Sequence, residues 1–113
     1  HQKIIGISSM KGNYALQDSI KALLEHNIHA PFNLLHDFHF GGFAKYSTTL
    51  IDFMNTLYKQ HQLPTDIVYT GKVFYAICTL INTDYFPAHS KLLIVHTGGL
   101  QGNRSLPTNT LLF

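Results

Sequence analysis

Pro64-Thr65-Asp66-Ile67-Val68-Tyr69-Thr70-Gly71-Lys72 is the stretch on which the reading of the fold turns. Ile67 to Tyr69 reads as a short buried strand that breaks at Thr70-Gly71 into a helix of apolar residues. A strand that ends in Tyr-Thr-Gly and turns at once into a helix places two hydroxyls, a flexible backbone and a helix N-terminus at one point. In parallel α/β sheets ligands sit at such points. His96-Thr97-Gly98-Gly99 carries the same kind of chemistry at a second strand end. The two ends are expected to meet at one cofactor site, of which this chain holds a part.

Working outward, the helix after Gly71 carries Val73, Phe74, Ala76, Ile77, Leu80 and Ile81, apolar on most of its circumference and so expected to be buried on two sides. Thr83-Asp84-Tyr85-Phe86-Pro87 ends it, and Ser90 to His96, with the run Leu92-Leu93-Ile94-Val95, reads as the last strand. Upstream, Lys3 to Ile7 has the continuous apolar pattern of a strand covered on both faces. Leu16, Ile20, Leu23 and Leu24 share one face of a helix that ends near Glu25-His26-Asn27, with Pro31 blocking its continuation. Phe32 to Phe40 reads as a second strand, broken by Gly41-Gly42. Ser47 is the N-cap of a further helix whose apolar face holds Leu50, Ile51, Phe53, Met54, Leu57 and Tyr58. The order β-α-β-α-β-α-β with buried strands predicts an α/β fold: an open, mostly parallel sheet of about four strands with helices on both faces. Residues 1–103 form the single expected domain, and residues 104–113, which lack periodicity, a tail.

Apolar residues make up 45% of the 113 and charged residues 12%, about half the charged share usual for a soluble domain. So bare a surface is expected to be covered in part by another domain, a partner chain or a second copy, a homodimer. The eight basic residues are scattered and the net charge is +2, so nucleic acid is not an expected partner. No apolar run reaches the length of about 18 residues that crosses a membrane. The single cysteine, Cys78, cannot form an internal disulfide, and a cytoplasmic location is expected. The chain begins at His1 and enters a strand within three residues, from which a C-terminal piece of a longer protein is expected.

Eight histidines invite a metal reading. His36 and His39, three residues apart, would point to opposite faces of a strand, and His26 and His29 have no carboxylate or thiolate at ligand spacing, so no metal site is predicted. Cys78, in the middle of an apolar helix, reads as core. Gly41-Gly42 and Gly98-Gly99 read either as plain turns or as places where backbone closes on a ligand. Tyr69, Thr70 and Thr97 read either as a site or as core and cap.

Val68-Tyr69-Thr70-Gly71-Lys72, followed about two dozen residues later by His96-Thr97-Gly98-Gly99, resembles the C-terminal part of the D-cysteine desulfhydrase and 1-aminocyclopropane-1-carboxylate (ACC) deaminase family. His39-Phe40-Gly41-Gly42-Phe43-Ala44-Lys45 and Leu100-Gln101-Gly102-Asn103 are also similar to it, so the resemblance runs from Ile4 to about Asn103. These are pyridoxal-phosphate (PLP) enzymes, lyases and deaminases of fold type II, the tryptophan-synthase-β-like class. The resemblance implies that the chain is part of the large domain of such an enzyme. It implies a catalytic Tyr69 beside the cofactor ring and a small amino-acid substrate, and cofactor binding by Thr70, Thr97 and Gly98, with Thr97 able to hydrogen-bond the pyridine nitrogen. ACC deaminases resemble one another in having Glu where this chain has Thr70. A carboxylate there keeps the pyridine nitrogen protonated and strengthens the electron sink, whereas a hydroxyl does not. β-Elimination of the desulfhydrase type is therefore expected over ACC deamination.

Family members hold the cofactor covalently through a lysine in a stretch like Gly-Asn-Lys, and cradle its phosphate in a Gly/Thr-rich loop. None of Lys3, Lys11, Lys21, Lys45, Lys59, Lys72 and Lys91 has that context. A missing N-terminal part is expected to supply both, so that PLP binds weakly or not at all to this chain alone, which is expected to be inactive. Two other readings remain: a stand-alone, non-enzymatic α/β binding or oligomerisation module, and a small anion-binding domain using Gly98-Gly99 and Thr70-Gly71.

Overall fold

The computed structural model describes residues 2–24 and 30–113. The expected end of the first helix at residues 25–27, and His29, lie outside the described residues.

Strand β1, Ile4–Ile7, pairs in parallel with β2, Phe32–Leu35, with Ile4 opposite Phe32 and Ile7 opposite Leu35. Helix α1, Leu16–Leu23, makes the crossover. Its Gln17 reaches the β2 backbone, accepting from the Leu34 N–H at 3.0 Å and donating to the Phe32 carbonyl at 3.5 Å. The apolar stripe of α1 is only partly used: Leu23 is 83% exposed.

Helix α2, Thr48–His61, starts where the sequence reading places its cap. The Ser47 hydroxyl accepts from the Leu50 N–H at 3.4 Å, satisfying one of the amides that a helix start leaves free. Helix α3, Thr70–Asn82, packs against it. Leu50, Met54, Ile67 and Val68 form the core, and Phe40, Phe53, Tyr75, Leu106 and Leu111 lean on it. Phe40 and Phe53 each present an edge to Tyr75, at 4.9 and 5.3 Å between centroids, the geometry that aromatic quadrupoles favour. Gly71 is what lets α3 approach so closely: a Cβ there would lie 2.6 Å from the Asp66 carbonyl oxygen and 3.0 Å from the Met54 sulfur.

The fold is α/β, with a parallel sheet of two strands among the described residues, β1 and β2. Of the four expected strands, the first two are formed and the last two are absent among the described residues. Ile67–Tyr69 is a turn, and residues 91–99 run without a ladder partner. The first difference has a local cause. Asn103 donates to the Thr65 carbonyl at 2.9 Å and accepts from the Ile67 N–H at 3.0 Å, so one side-chain amide takes the two backbone groups that a neighbouring strand would pair. The next three amides bend inward to the Asp66 side chain. The second strand, expected over Phe32–Phe40, stops at Leu35, and residues 37–44 are turns.

The final segment has no periodicity but is anchored. Asn55 of α2 donates to the Thr110 carbonyl at 3.1 Å and accepts from the Leu112 N–H at 2.9 Å. The Phe113 ring lies 4.9 Å from that of Tyr58. Gln17, Asn55 and Asn103 thus make one repeated device: a side-chain amide that accepts from the N–H of one residue and donates to the carbonyl two residues before it. Among the described residues no helix is long and apolar enough to cross a membrane.

Candidate functional site

The site grows from Asp66, which is wholly buried. Its Oδ2 accepts from the Val68 and Tyr69 amides at 2.8 and 2.9 Å. Its Oδ1 accepts from the Thr70 amide at 2.8 Å and the Thr70 hydroxyl at 2.5 Å. Four donors face this group, the complement of a carboxylate, which only accepts. In return the Asp66 N–H donates to Thr70 Oγ1 at 2.9 Å, and its carbonyl accepts from Gly71 at 2.8 Å. Aspartate binds amides two and three residues ahead more readily than it extends a strand. This is why the chain curls into α3 here.

Thr70 is 1% exposed, and its hydroxyl is engaged with Asp66 both as donor and as acceptor. Its neighbour Tyr69 is 49% exposed and faces outward, with the Phe43 ring edge-on at 6.1 Å. The amides at the start of α3 that an anion would need are already taken by Asp66, so that helix start is not an anion site.

Lys72, in the first turn of α3, is 1% exposed. Its Nζ donates to the carbonyls of His39 at 2.7 Å and Gly42 at 2.9 Å. Burial lowers its pKa from 10.5 to about 8, against the opposing pull of Asp66. The turn that it holds is also closed from within: the Gly41 N–H donates to His39 Nδ1 at 3.0 Å, and the Gly42 N–H to the His39 carbonyl at 3.1 Å.

The 96–103 segment lies against the same frame. His96 Nδ1 accepts from the Gly98 N–H at 3.0 Å, which leaves Nε2 as the protonated nitrogen that donates to the Pro64 carbonyl at 2.9 Å. Gly99 and Gly102 approach Asp66 so closely that added Cβ atoms would lie 3.6 and 3.2 Å from its carboxylate oxygens. Gly98 and Gly99 have φ of +78° and +86°, a region that other residues enter at a cost. Around Gly98 the direction of a Cβ is open, with nothing within 4 Å, and Thr97 is exposed.

Residues from the stretches singled out in the sequence, 39–45, 64–72, 96–99 and 100–103, therefore meet near the start of α3. Tyr69 and Thr97 are exposed, Gly98 is half-buried and Thr70 is buried. The residues that build the frame, Asp66, Lys72, His96 and Asn103, carry roles not read from the sequence. Asp66 had a legible signal, an aspartate four residues before a threonine that opens a helix. Lys72 and Asn103 had none, because their partners lie 30 or more residues away in the chain.

Among the described residues no three His, Cys, Asp or Glu side chains gather as a metal site. Cys78 is half-buried, and burial raises its thiol pKa, which disfavours the nucleophilic thiolate. No family model, curated protein or solved structure matches the chain.

Proposed function

We propose that this chain is the C-terminal portion of a PLP-dependent lyase that carries out β-elimination on a small amino acid, of the D-cysteine desulfhydrase kind rather than an ACC deaminase. In this reading it supplies the side of the site that faces the cofactor ring. The observation that carries the proposal is the convergence of the three turns at the start of α3, with neutral hydroxyls outside and the one carboxylate, Asp66, buried and saturated with donors inside.

The open space at Gly98 supports the assignment of a pyridine ring to this turn. Gly98 leaves open space beside the exposed Thr97, so a flat group can approach the backbone there. Thr97 is the residue assigned to the ring nitrogen and Gly98 to the ring face. Thr70 contributes from behind, by holding Asp66 and hence the turn that presents Tyr69. PLP, when bound, supplies an electron sink for the substrate's α-carbon, and a neutral hydroxyl at its nitrogen keeps that sink moderate. Expulsion of a thiol-like leaving group asks less of it than opening the ACC ring. Tyr69 has an exposed phenol braced by Phe43, and is assigned to orient the substrate or move its proton.

Titrating the chain with PLP and following its NMR signals tests the reading. Thr97, Gly98 and Tyr69 are expected to shift at millimolar PLP, and Thr97→Val to abolish the shift. A stoichiometric covalent adduct on one lysine of this chain, or shifts confined to other regions, would overturn it.

Leu92, Leu93 and Val95, with Leu93 90% and Val95 67% exposed, also suit the second reading, a module that associates with copies of itself. Sedimentation across a concentration series separates the two: a reversible homodimer formed through this run, with no response to PLP, favours the module.

A further inference from the structure

Lys72 has no part in the PLP assignment above, yet it is the largest fully buried side chain in the molecule as described. A lysine is costly to bury unless its ammonium is well bonded. Here the two bonds go to the two ends of one turn, the carbonyls of His39 and Gly42. The next residue, Phe43, stands against Tyr69, and Tyr69 immediately precedes the helix that carries Lys72. The ammonium therefore closes a loop of contacts: α3 to Lys72, Lys72 to the 39–42 turn, the turn to Phe43, and Phe43 back to Tyr69.

We propose that Lys72 is a positioning residue, a tethered cation that fixes the 39–43 turn and so sets Phe43 against Tyr69. The ionisable groups around it are Asp66 across the start of α3, the His39 imidazole within the turn, and Lys11 and Lys45, whose side chains border Gly42 and Gly41. Asp66 is the one that favours the charge. His39 Nδ1 accepts the Gly41 N–H and is unprotonated in this arrangement. Lys11 and Lys45 lie on the exposed side of the turn. Loss of the Lys72 proton replaces two charge-assisted bonds with weaker neutral ones, and the turn loosens.

The pathway to chemistry at Tyr69 rests on the PLP reading, but the test contains no PLP, so either can fail while the other stands. In the wild-type chain the amide signals of Gly41, Gly42 and Phe43 are expected to move together with one midpoint near pH 8, with loss of the Phe43–Tyr69 ring contact. Lys72→Met keeps the stem and removes the charge. It is expected to show the loosened signals at every pH, with no midpoint. In Lys72→Ala, methylammonium or potassium is expected to restore the wild-type signals, a rescue that a purely space-filling role would not give. A Lys72→Met chain with wild-type turn signals and an intact ring contact would overturn the proposal. Should the variants not fold, a wild-type titration that is flat through pH 8 would overturn it as well.

Discussion

The turns 39–42 and 96–99 share a pattern, His-x-Gly-Gly, and a bond, the N–H of the first glycine donating to the imidazole Nδ1 at 3.0 Å in both. They are finished differently. The first is bolted down by a buried cation, and Gly42 is enclosed by the side chains of Lys11 and Lys45. The second hangs from the Pro64 carbonyl by the other ring nitrogen, and Gly98 faces open space. One local motif thus yields a closed turn and an open one, and what separates them is the element that each meets. The closed turn braces Tyr69 through Phe43. The open turn exposes Thr97 and leaves room for a ligand.

The frame shared by both turns is where the largest effect is expected. Asp66→Ala leaves three inward amides and the Thr70 hydroxyl without their acceptor. Each buried group so orphaned costs about 1–3 kcal/mol. A loss of more than about 3 kcal/mol in urea unfolding is expected, with both turns affected together. Survival of either turn would show that the two do not share a frame.

Lys72 distinguishes the closed turn by pH. Its folded value of about 8 lies below the ordinary 10.5. Between the two the unfolded chain holds a proton that the folded chain has released, so unfolding takes up a proton and stability rises with pH across that window. Urea midpoints measured at intervals from pH 8 to 10.5 are expected to climb in the wild type relative to Lys72→Met. The charge is therefore unfavourable for global stability while it orders the turn. A wild type and variant running in parallel would remove the charge from the account.

His96→Ala addresses the open turn. It loses the bonds to the Pro64 carbonyl and the Gly98 amide, at about 1 kcal/mol for each. Faster amide exchange at Gly98 with no change at Gly41 is the expected result; equal changes in both would mean that the turns are coupled. The smallest effects belong to the exposed hydroxyls. Thr97→Val and Tyr69→Phe are expected to change stability by less than about 0.5 kcal/mol. A larger change in thermal unfolding would assign these residues to the frame instead of the open face.

Much of the scaffold was legible because its causes are local. Ser47 caps α2, the apolar spacing of α2 delivers Leu50 and Met54 to the core, and Thr70-Gly71 opens α3. Gly99 and Gly102 pack on Asp66; that the ends at 64–72 and 96–99 form one cofactor site is the proposal that the PLP titration tests. The strands at 67–69 and 90–96 were misread for a common reason. An apolar run reports a need for burial, while a strand also needs a backbone neighbour. At Ile67 that neighbour is the amide of Asn103, and along 91–95 the described residues supply none.

By itself the sequence determined the helices, the Ser47 cap of α2 and the residue types gathered at two Gly-Gly turns, since propensity, periodicity and glycine's backbone freedom act within a few residues. Only the tertiary structure decided which of those groups face inward. Tyr69 and Thr70 are adjacent in the chain, yet one is half exposed and the other 1% exposed. That division depends on Asp66 drawing the amides of residues 68–70 and the Thr70 hydroxyl inward, on Asn103 arriving from 36 residues away, and on Lys72 finding its two carbonyls in a distant turn.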